Sequence, residues 1–251
     1  MGVRVSSFSF NGISSDSFGV RVESRYILSS PSYERDSVSV PGRDGDIFLS
    51  GGRFPNVTVS YTCFLTAGSA EELSDRVARM REWLYGAGDG YAVLRDSADT
   101  AGFRYAVLSG GIEANVTLRR LARFTVSFSC LPHRYLDEGL YPITAKGALT
   151  AVNPTACSSL PRIRIEADGD VSLTLENTDG TSAWRLSGLS GGIELDSACM
   201  DAVWNGENRN ACLAGDGFPV LPPGRNLLTA ACLSDTDSTP VLTVAPNWRC
   251  L

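Results

Sequence analysis

Val57-Thr58-Val59-Ser60-Tyr61-Thr62-Cys63-Phe64-Leu65 puts Val57, Val59, Tyr61, Cys63 and Leu65 at every second position, with Thr58, Ser60 and Thr62 between them. Successive side chains of an extended chain point to opposite faces, so this stretch predicts a strand with one buried face. A second stretch repeats the pattern: Phe124, Val126, Phe128 and Cys130 alternate with Thr125, Ser127 and Ser129. Between the two lies a helical period. Leu73, Val77, Met80 and Leu84 fall at i, i+4, i+7 and i+11, Ser69 and Glu72 make a capping box, and Gly86 stands at the far end. One helix over about residues 70–85, among many strands, predicts a sheet covered on one side rather than a βαβ series.

Turn chemistry extends the reading along the chain. Asp-Gly recurs at Asp44-Gly45, Asp89-Gly90, Asp168-Gly169, Asp179-Gly180 and Asp216-Gly217, and this pair suits the two central positions of a tight hairpin turn, where φ is positive. The clearest predicted hairpin covers residues 162–175, with Ile163 and Ile165 before Asp168-Gly169 and Val171, Leu173 and Leu175 after it. No fixed-period repeat occurs, which argues against a propeller or a solenoid. After Pro132-His133-Arg134-Tyr135 the periodicity weakens through residues 137–161. A chain of 251 residues exceeds the usual single domain. The expectation is a mainly β protein of two β-sandwich or barrel-like domains: residues 1–135, carrying the covering helix, and residues 136–251, a linker plus a second sandwich.

Composition narrows the class. Hydrophobic residues at 43% and charged residues at 20% match ordinary folded proteins and argue against disorder or a fibre. No run of about 18 apolar residues exists, and Met1-Gly2-Val3-Arg4-Val5 is not followed by an apolar stretch, so neither a membrane span nor a signal peptide is expected. Without secretion, the sequons at Asn56 and Asn115 read as strand sequence. The seven cysteines are odd in number and no two lie closer than 13 positions, which encodes neither a disulfide framework nor a Cys-x-x-Cys zinc site and predicts reduced, mostly buried thiols. Residues 1–135 carry 15 arginines against 14 acids, whereas residues 136–251 carry 7 basic residues against 14 acids. Copies of a near-neutral first half can be crowded together at little electrostatic cost, and copies of the acidic second half cannot. The basic set is 21 arginines and Lys146, with the arginines interleaved among acids, which argues against a nucleic-acid patch.

Motifs that could carry chemistry have ordinary structural explanations. Gly188-Leu189-Ser190-Gly191-Gly192 has the form of a nucleophile elbow, but no helical pattern follows Ser190 and the single histidine, His133, precedes it. Asp99-Thr100-Ala101 would need a second facing carboxylate to act as an aspartic protease. The pairs Asp168/Asp170 and Glu194/Asp196 offer oxygens to calcium, yet they sit where turns are expected. No catalytic residue, cofactor or metal is assigned. Trp184 and Trp204 are candidates for a sugar-stacking face, weighed against core packing; a monomeric carbohydrate-binding module is the competing function. The most individual stretch is residues 38–49, where Val40-Pro41-Gly42-Arg43-Asp44-Gly45 leads a hairpin loop.

That segment, together with Phe8-Ser9-Phe10-Asn11-Gly12, Phe18-Gly19, Glu82-Trp83-Leu84, Phe103-Arg104-Tyr105 and Leu131-Pro132-His133-Arg134-Tyr135, resembles the siphophage distal tail protein family in spacing and order. Pro161-Arg162-Ile163, Ile193-Glu194-Leu195-Asp196-Ser197, residues 218–226 and Pro246-Asn247-Trp248-Arg249 resemble that family's galectin-like C-terminal domain. The resemblance implies a homo-hexameric ring of N-terminal domains at the virion tail tip, between tail tube and tail hub, made in the host bacterial cytoplasm. It also implies outward C-terminal domains near receptor-binding proteins, and a lumen for DNA in transit. On this reading residues 40–45 are the candidate inter-subunit arm, and the lumen is expected to lack a dense arginine lining, because each neutralised phosphate adds affinity and slows passage.

Overall fold

The computed structural model describes residues 6–117, 119–233 and 238–251; residues 1–5, read with the first strands, lie outside the described residues. The chain is mainly β with one α-helix among the described residues, and it divides into two units, Met1–Arg134 with Leu251, and Tyr135–Cys250.

The first unit contains β1 Phe8–Phe10, β2 Ile13–Ser14, β3 Val20–Tyr26, β4 Arg35–Val38, β5 Ile47–Ser50, β6 Val57–Thr66, α1 Ala70–Tyr85, β7 Ala92–Asp96, β8 Asp99–Ser109, β9 Asn115–Thr117 and β10 Leu121–Cys130; β11 Arg134–Leu136 follows at the boundary. Its main sheet runs β2-β1-β7-β8-β10-β6-β3, with β9 also paired to β10. The two alternating stretches are direct neighbours, with Phe124 opposite Cys63, Val126 opposite Tyr61 and Phe128 opposite Val59. Their shared inner face holds the core, each large side chain contributing roughly 1.5–3 kcal/mol by leaving water. At one end of the sheet the Val22 amide donates to the Ser6 carbonyl at 3.0 Å, just before β1, so the sheet rolls up and its ends meet. The Arg25–Asp96 ion pair ties β3 to β7 across the same seam.

Helix α1 covers one side with Leu73, Met80, Trp83 and Leu84 buried, while Val77 is half-buried. Ser69 Oγ accepts from the Glu72 amide at 3.1 Å, but the Glu72 carboxylate reaches back to the Gly68 amide at 2.7 Å. That amide, with the nearby Arg76, holds the Glu72 carboxyl below the usual carboxylate range. Trp83 stacks on Phe8 and Phe18, and its indole N–H donates to the Phe10 carbonyl at 3.1 Å. Burial pushes the Cys63 thiol up to about 12 and the Cys130 thiol up to about 11, so both stay protonated in the core.

The second unit is a sandwich of two sheets. One holds β12 Ile143–Lys146, β14 Arg162–Glu166, β17 Ile193–Asp196, β18 Asp201–Trp204, β19 Glu207–Asn208 and β22 Val241–Ala245; the other holds β13 Ala148–Asn153, β15 Gly169–Asn177, β16 Gly180–Leu189, β20 Leu213–Ala214 and β21 Gly224–Cys232. Ile163, Ile165, Leu195 and Val244 from the first meet Leu173, Leu175, Leu186 and Leu228 from the second in one core.

This arrangement corrects the hairpin predicted over residues 162–175. β14 pairs with β17 and β22, and β15 pairs with β16 and β21, so Asp168-Gly169 turns the chain from one sheet into the facing one. Both strands keep their alternation because each has one buried face, and an arch satisfies that pattern as well as a hairpin does.

A second correction concerns the Asp-Gly pairs. Gly45, Gly169, Gly180 and Gly217 have positive φ, but none of the five aspartates does, and Gly90 does not either. Among the described residues, the two-residue turns with both φ positive are Asn11-Gly12, between paired Phe10 and Ile13, and Asn205-Gly206, between paired Trp204 and Glu207. Asparagine tolerates the left-handed region, which is why Asn-Gly marks such turns.

Candidate assembly surface

Strands β4 and β5 form a two-stranded sheet of their own, apart from the main sheet of the first unit. Val38 pairs with Ile47, Ser37 with Phe48 and Asp36 with Leu49. Directly opposed residues share a face. One face therefore carries Val38, Ile47 and Leu49 with Asp36, and the other carries Phe48. All are exposed, Phe48 at 63% and Leu49 at 56%. An isolated hairpin is marginal in water, and contiguous exposed apolar surface on a folded protein marks a contact with something else.

The tip follows from its sequence. Pro41 fixes φ for the second position of a turn, Gly42 supplies φ +81° at the third, and the Arg43 amide closes it on the Val40 carbonyl at 3.2 Å; this is the type II signature. Gly45, also at +81°, turns the chain back toward β5. The structure thus puts Val40, Pro41, Gly42, Arg43, Asp44 and Gly45 together in the exposed loop joining β4 to β5.

The root of the hairpin has contacts of its own. Tyr33 packs on Phe54 with ring centroids 4.6 Å apart, Phe54 meets His133 edge-on at 6.3 Å, and the Arg35 guanidinium lies 4.2 Å from the Tyr33 centroid. The Gly51 amide donates to the Glu34 carbonyl, and Arg53 pairs with Glu34 at 2.8 Å. Sequence reading missed this clamp. Tyr33, Phe54 and His133 are far apart in the chain, and no local periodicity links them.

The other candidates have structural occupations. Trp184 is a correction: it is buried, with its indole N–H donating to the Gly217 carbonyl at 2.9 Å, and it presents no face to a sugar. Trp204 is half-buried, with the Arg164 guanidinium 4.9 Å from its ring centroid and Gly191 and Gly192 against the ring, where a Cβ on Gly192 would come within 2.7 Å. The two tryptophans do not form one stacking surface. Ser190 lies between β16 and β17 with no helix after it. Asp168 accepts from the Gly191 amide at 2.7 Å, and Asp170 accepts from Arg185 and the Gly188 amide. Arg162 pairs with both Glu194 and Asp196. Asp99 pairs with Arg134, whose hydrogen bond holds its carboxyl below the usual range.

A family described as phage tail protein RIFT-related domain matches residues 14–130. The fold is similar over 99% of this chain and 100% of the other to the Dit protein of phage SPP1, described as a paradigm of the hub adsorption apparatus in Gram-positive infecting phages, with a TM-score of 0.75 at 14% identity. A chain of the phage p2 baseplate in its activated conformation is similar over 97% of this chain and 98% of its own, with a TM-score of 0.51 at 10% identity. No curated protein sequence is significantly similar. The family match falls within the first unit, and the fold of the whole chain is shared with the SPP1 protein.

Proposed function

We propose, from the match of residues 14–130 to the phage tail protein RIFT-related domain, that copies of this chain close into a ring of six at the tip of a siphophage tail. The ring joins tail tube to tail hub and leaves a lumen through which DNA passes. The function is geometric, and no side chain is assigned a reaction. The N-terminal units build the ring, and the acidic C-terminal units carry adsorption proteins.

The observation that carries this reading is the β4–β5 hairpin. It holds Val38, Ile47, Phe48 and Leu49 in water, above a root where Tyr33 packs on Phe54. Such a surface is a liability in a lone chain and an asset in a closed assembly, where each hairpin has a neighbour to cover it. Ring closure of a heterologous contact also limits the assembly to a defined number of copies.

Deletion of residues 41–46 tests this. The shortened chain is expected to keep its circular dichroism spectrum and to lose the oligomer, which for six copies of the 26.8 kDa chain is well resolved by mass photometry. A shortened chain that still forms the full ring removes the arm from the assembly, and an intact chain that stays single at every concentration removes the ring itself.

A further inference from the structure

Helix α1 and strand β9 of the first unit leave an open groove of ≈ 360 Å³ between them, with Leu73, Val77, Ala78 and Val116 in its lining. Val116 stands opposite Ala122, which is buried in the core, so the two share a face of the sheet. Val116 is nevertheless 54% exposed. Strand β9 also has a free edge: it pairs with β10 and, among the described residues, with no other strand. The backbone N–H and C=O groups along that edge are open to a further strand.

Positive charge brackets the groove. Arg119 lines it at one end, where the Ala67 amide donates to the Arg120 carbonyl at 2.9 Å and ties this loop to the chain just before α1. Arg81 lines it at the other, where its guanidinium donates to the Ile112 carbonyl at 3.2 Å ahead of β9. No carboxylate is in the lining, and neither arginine makes an ion pair among the described residues. The acids Glu71, Asp75 and Glu82 each follow a lining residue by one position, which turns them about 100° round the helix from it. From Ala70 to Arg81 the helix rises about 16 Å, a span that an extended segment covers in about five residues. A segment with apolar side chains at every second position and a carboxylate towards each end therefore matches the open edge, the apolar middle and the two guanidinium groups.

We propose that this groove docks an extended, acid-ended segment of a partner polypeptide. The segment adds as a strand to β9, with its apolar side chains against Val77 and Val116 and its carboxylates at Arg81 and Arg119. The inference goes beyond the ring reading and does not depend on it, because groove, edge and both arginines belong to one copy of the chain.

The probe is the synthetic peptide Glu-Thr-Val-Thr-Val-Thr-Glu, capped at both ends, titrated with the full chain and followed by ligand-observed NMR beside a counterpart with lysine at each end. Saturable binding of the acidic peptide is expected, and none of the lysine-ended one. Two variants locate the contact. Arg119→Gly suits the φ of +56° at that position and removes the guanidinium, so affinity should fall about threefold to tenfold with the circular dichroism spectrum unchanged. Ala78→Glu places a carboxylate at an exposed helix position in the lining and should abolish binding. Absence of saturable binding, equal binding of the lysine-ended peptide, or undiminished binding by Ala78→Glu each overturns the proposal. None of these results bears on whether copies form a ring, which mass photometry reads separately.

Discussion

Residues 35–50 and residues 162–175 carry the same signals, apolar residues in extended sequence on both sides of an Asp-Gly pair, and fold in opposite ways. In the first, the two strands pair with each other and bury nothing. In the second, the strands do not pair with each other and each buries one face: Ile163, Ile165, Val171 and Leu173 are fully excluded from water. Alternation reports that a strand has a buried face, and a glycine with positive φ reports that the chain turns. Neither reports which strand lies alongside. Pairing partners are chosen by the whole sheet, and β14 finds Val241–Ala245 some 75 or more positions away. The difference also separates two kinds of apolar residue: those in the arch stabilise the chain itself, and those in the hairpin stay in water in the single chain.

The sharpest test of that distinction is a pair of matched truncations. Leu173→Ala is expected to cost about 2–5 kcal/mol of unfolding free energy, through lost transfer and a residual cavity. Leu49→Ala is expected to stay within about 0.5 kcal/mol, as at exposed positions generally. Denaturant titration of the dissociated chain measures both, and an equally large loss at Leu49 would mean that the hairpin packs on its own chain. A smaller effect comes from the turn glycines. Gly45 and Gly169 share φ +81°, so alanine at either position meets a left-handed penalty of roughly 1–2 kcal/mol. In Gly169→Ala the loss should appear in global unfolding. In Gly45→Ala it should appear only as faster hydrogen exchange of residues 35–50, because the hairpin opens without the core. A global loss from Gly45→Ala would break the contrast.

The smallest effect is electrostatic. The Arg185 hydrogen bond, helped by the Gly188 amide, holds the Asp170 carboxyl beside the arch below its ordinary value. Its folded value is therefore lower than the unfolded value of about 3.9, so the stabilisation is present above about pH 4 and is lost as pH falls through the folded value. Arg185→Ala should move the Asp170 midpoint upward in an NMR titration. An unmoved midpoint would show that the turn amides alone position that carboxylate.

The regular parts of the fold were legible for a physical reason. β6, β10 and α1 each expose one face and bury the other, so local sequence carries their period. Trp83 escaped the helical pattern read from Leu73, Val77, Met80 and Leu84, although it sits one position before Leu84 and seals the core. The Asn-Gly turns were overlooked in favour of Asp-Gly, although Asn11 and Asn205 are the residues that adopt positive φ. The seam of the rolled sheet was not legible at all. Arg25 and Asp96 meet across 71 positions of sequence, and only the rolling of the sheet brings them together. The arm was legible as a loop because Pro41-Gly42 dictates its own turn, but nothing in its sequence separates it from a hairpin lying on a core.

In the proposed ring, the Tyr33, Phe54 and His133 contacts would also bear on how copies find one another. A hairpin whose root packs through tilted and edge-on rings is restricted in the directions it can take. Part of the orientational freedom that such association would remove would then be absent before two copies meet. Loosening the root at Phe54 should therefore slow the growth of oligomers while leaving every residue at the point of contact unchanged.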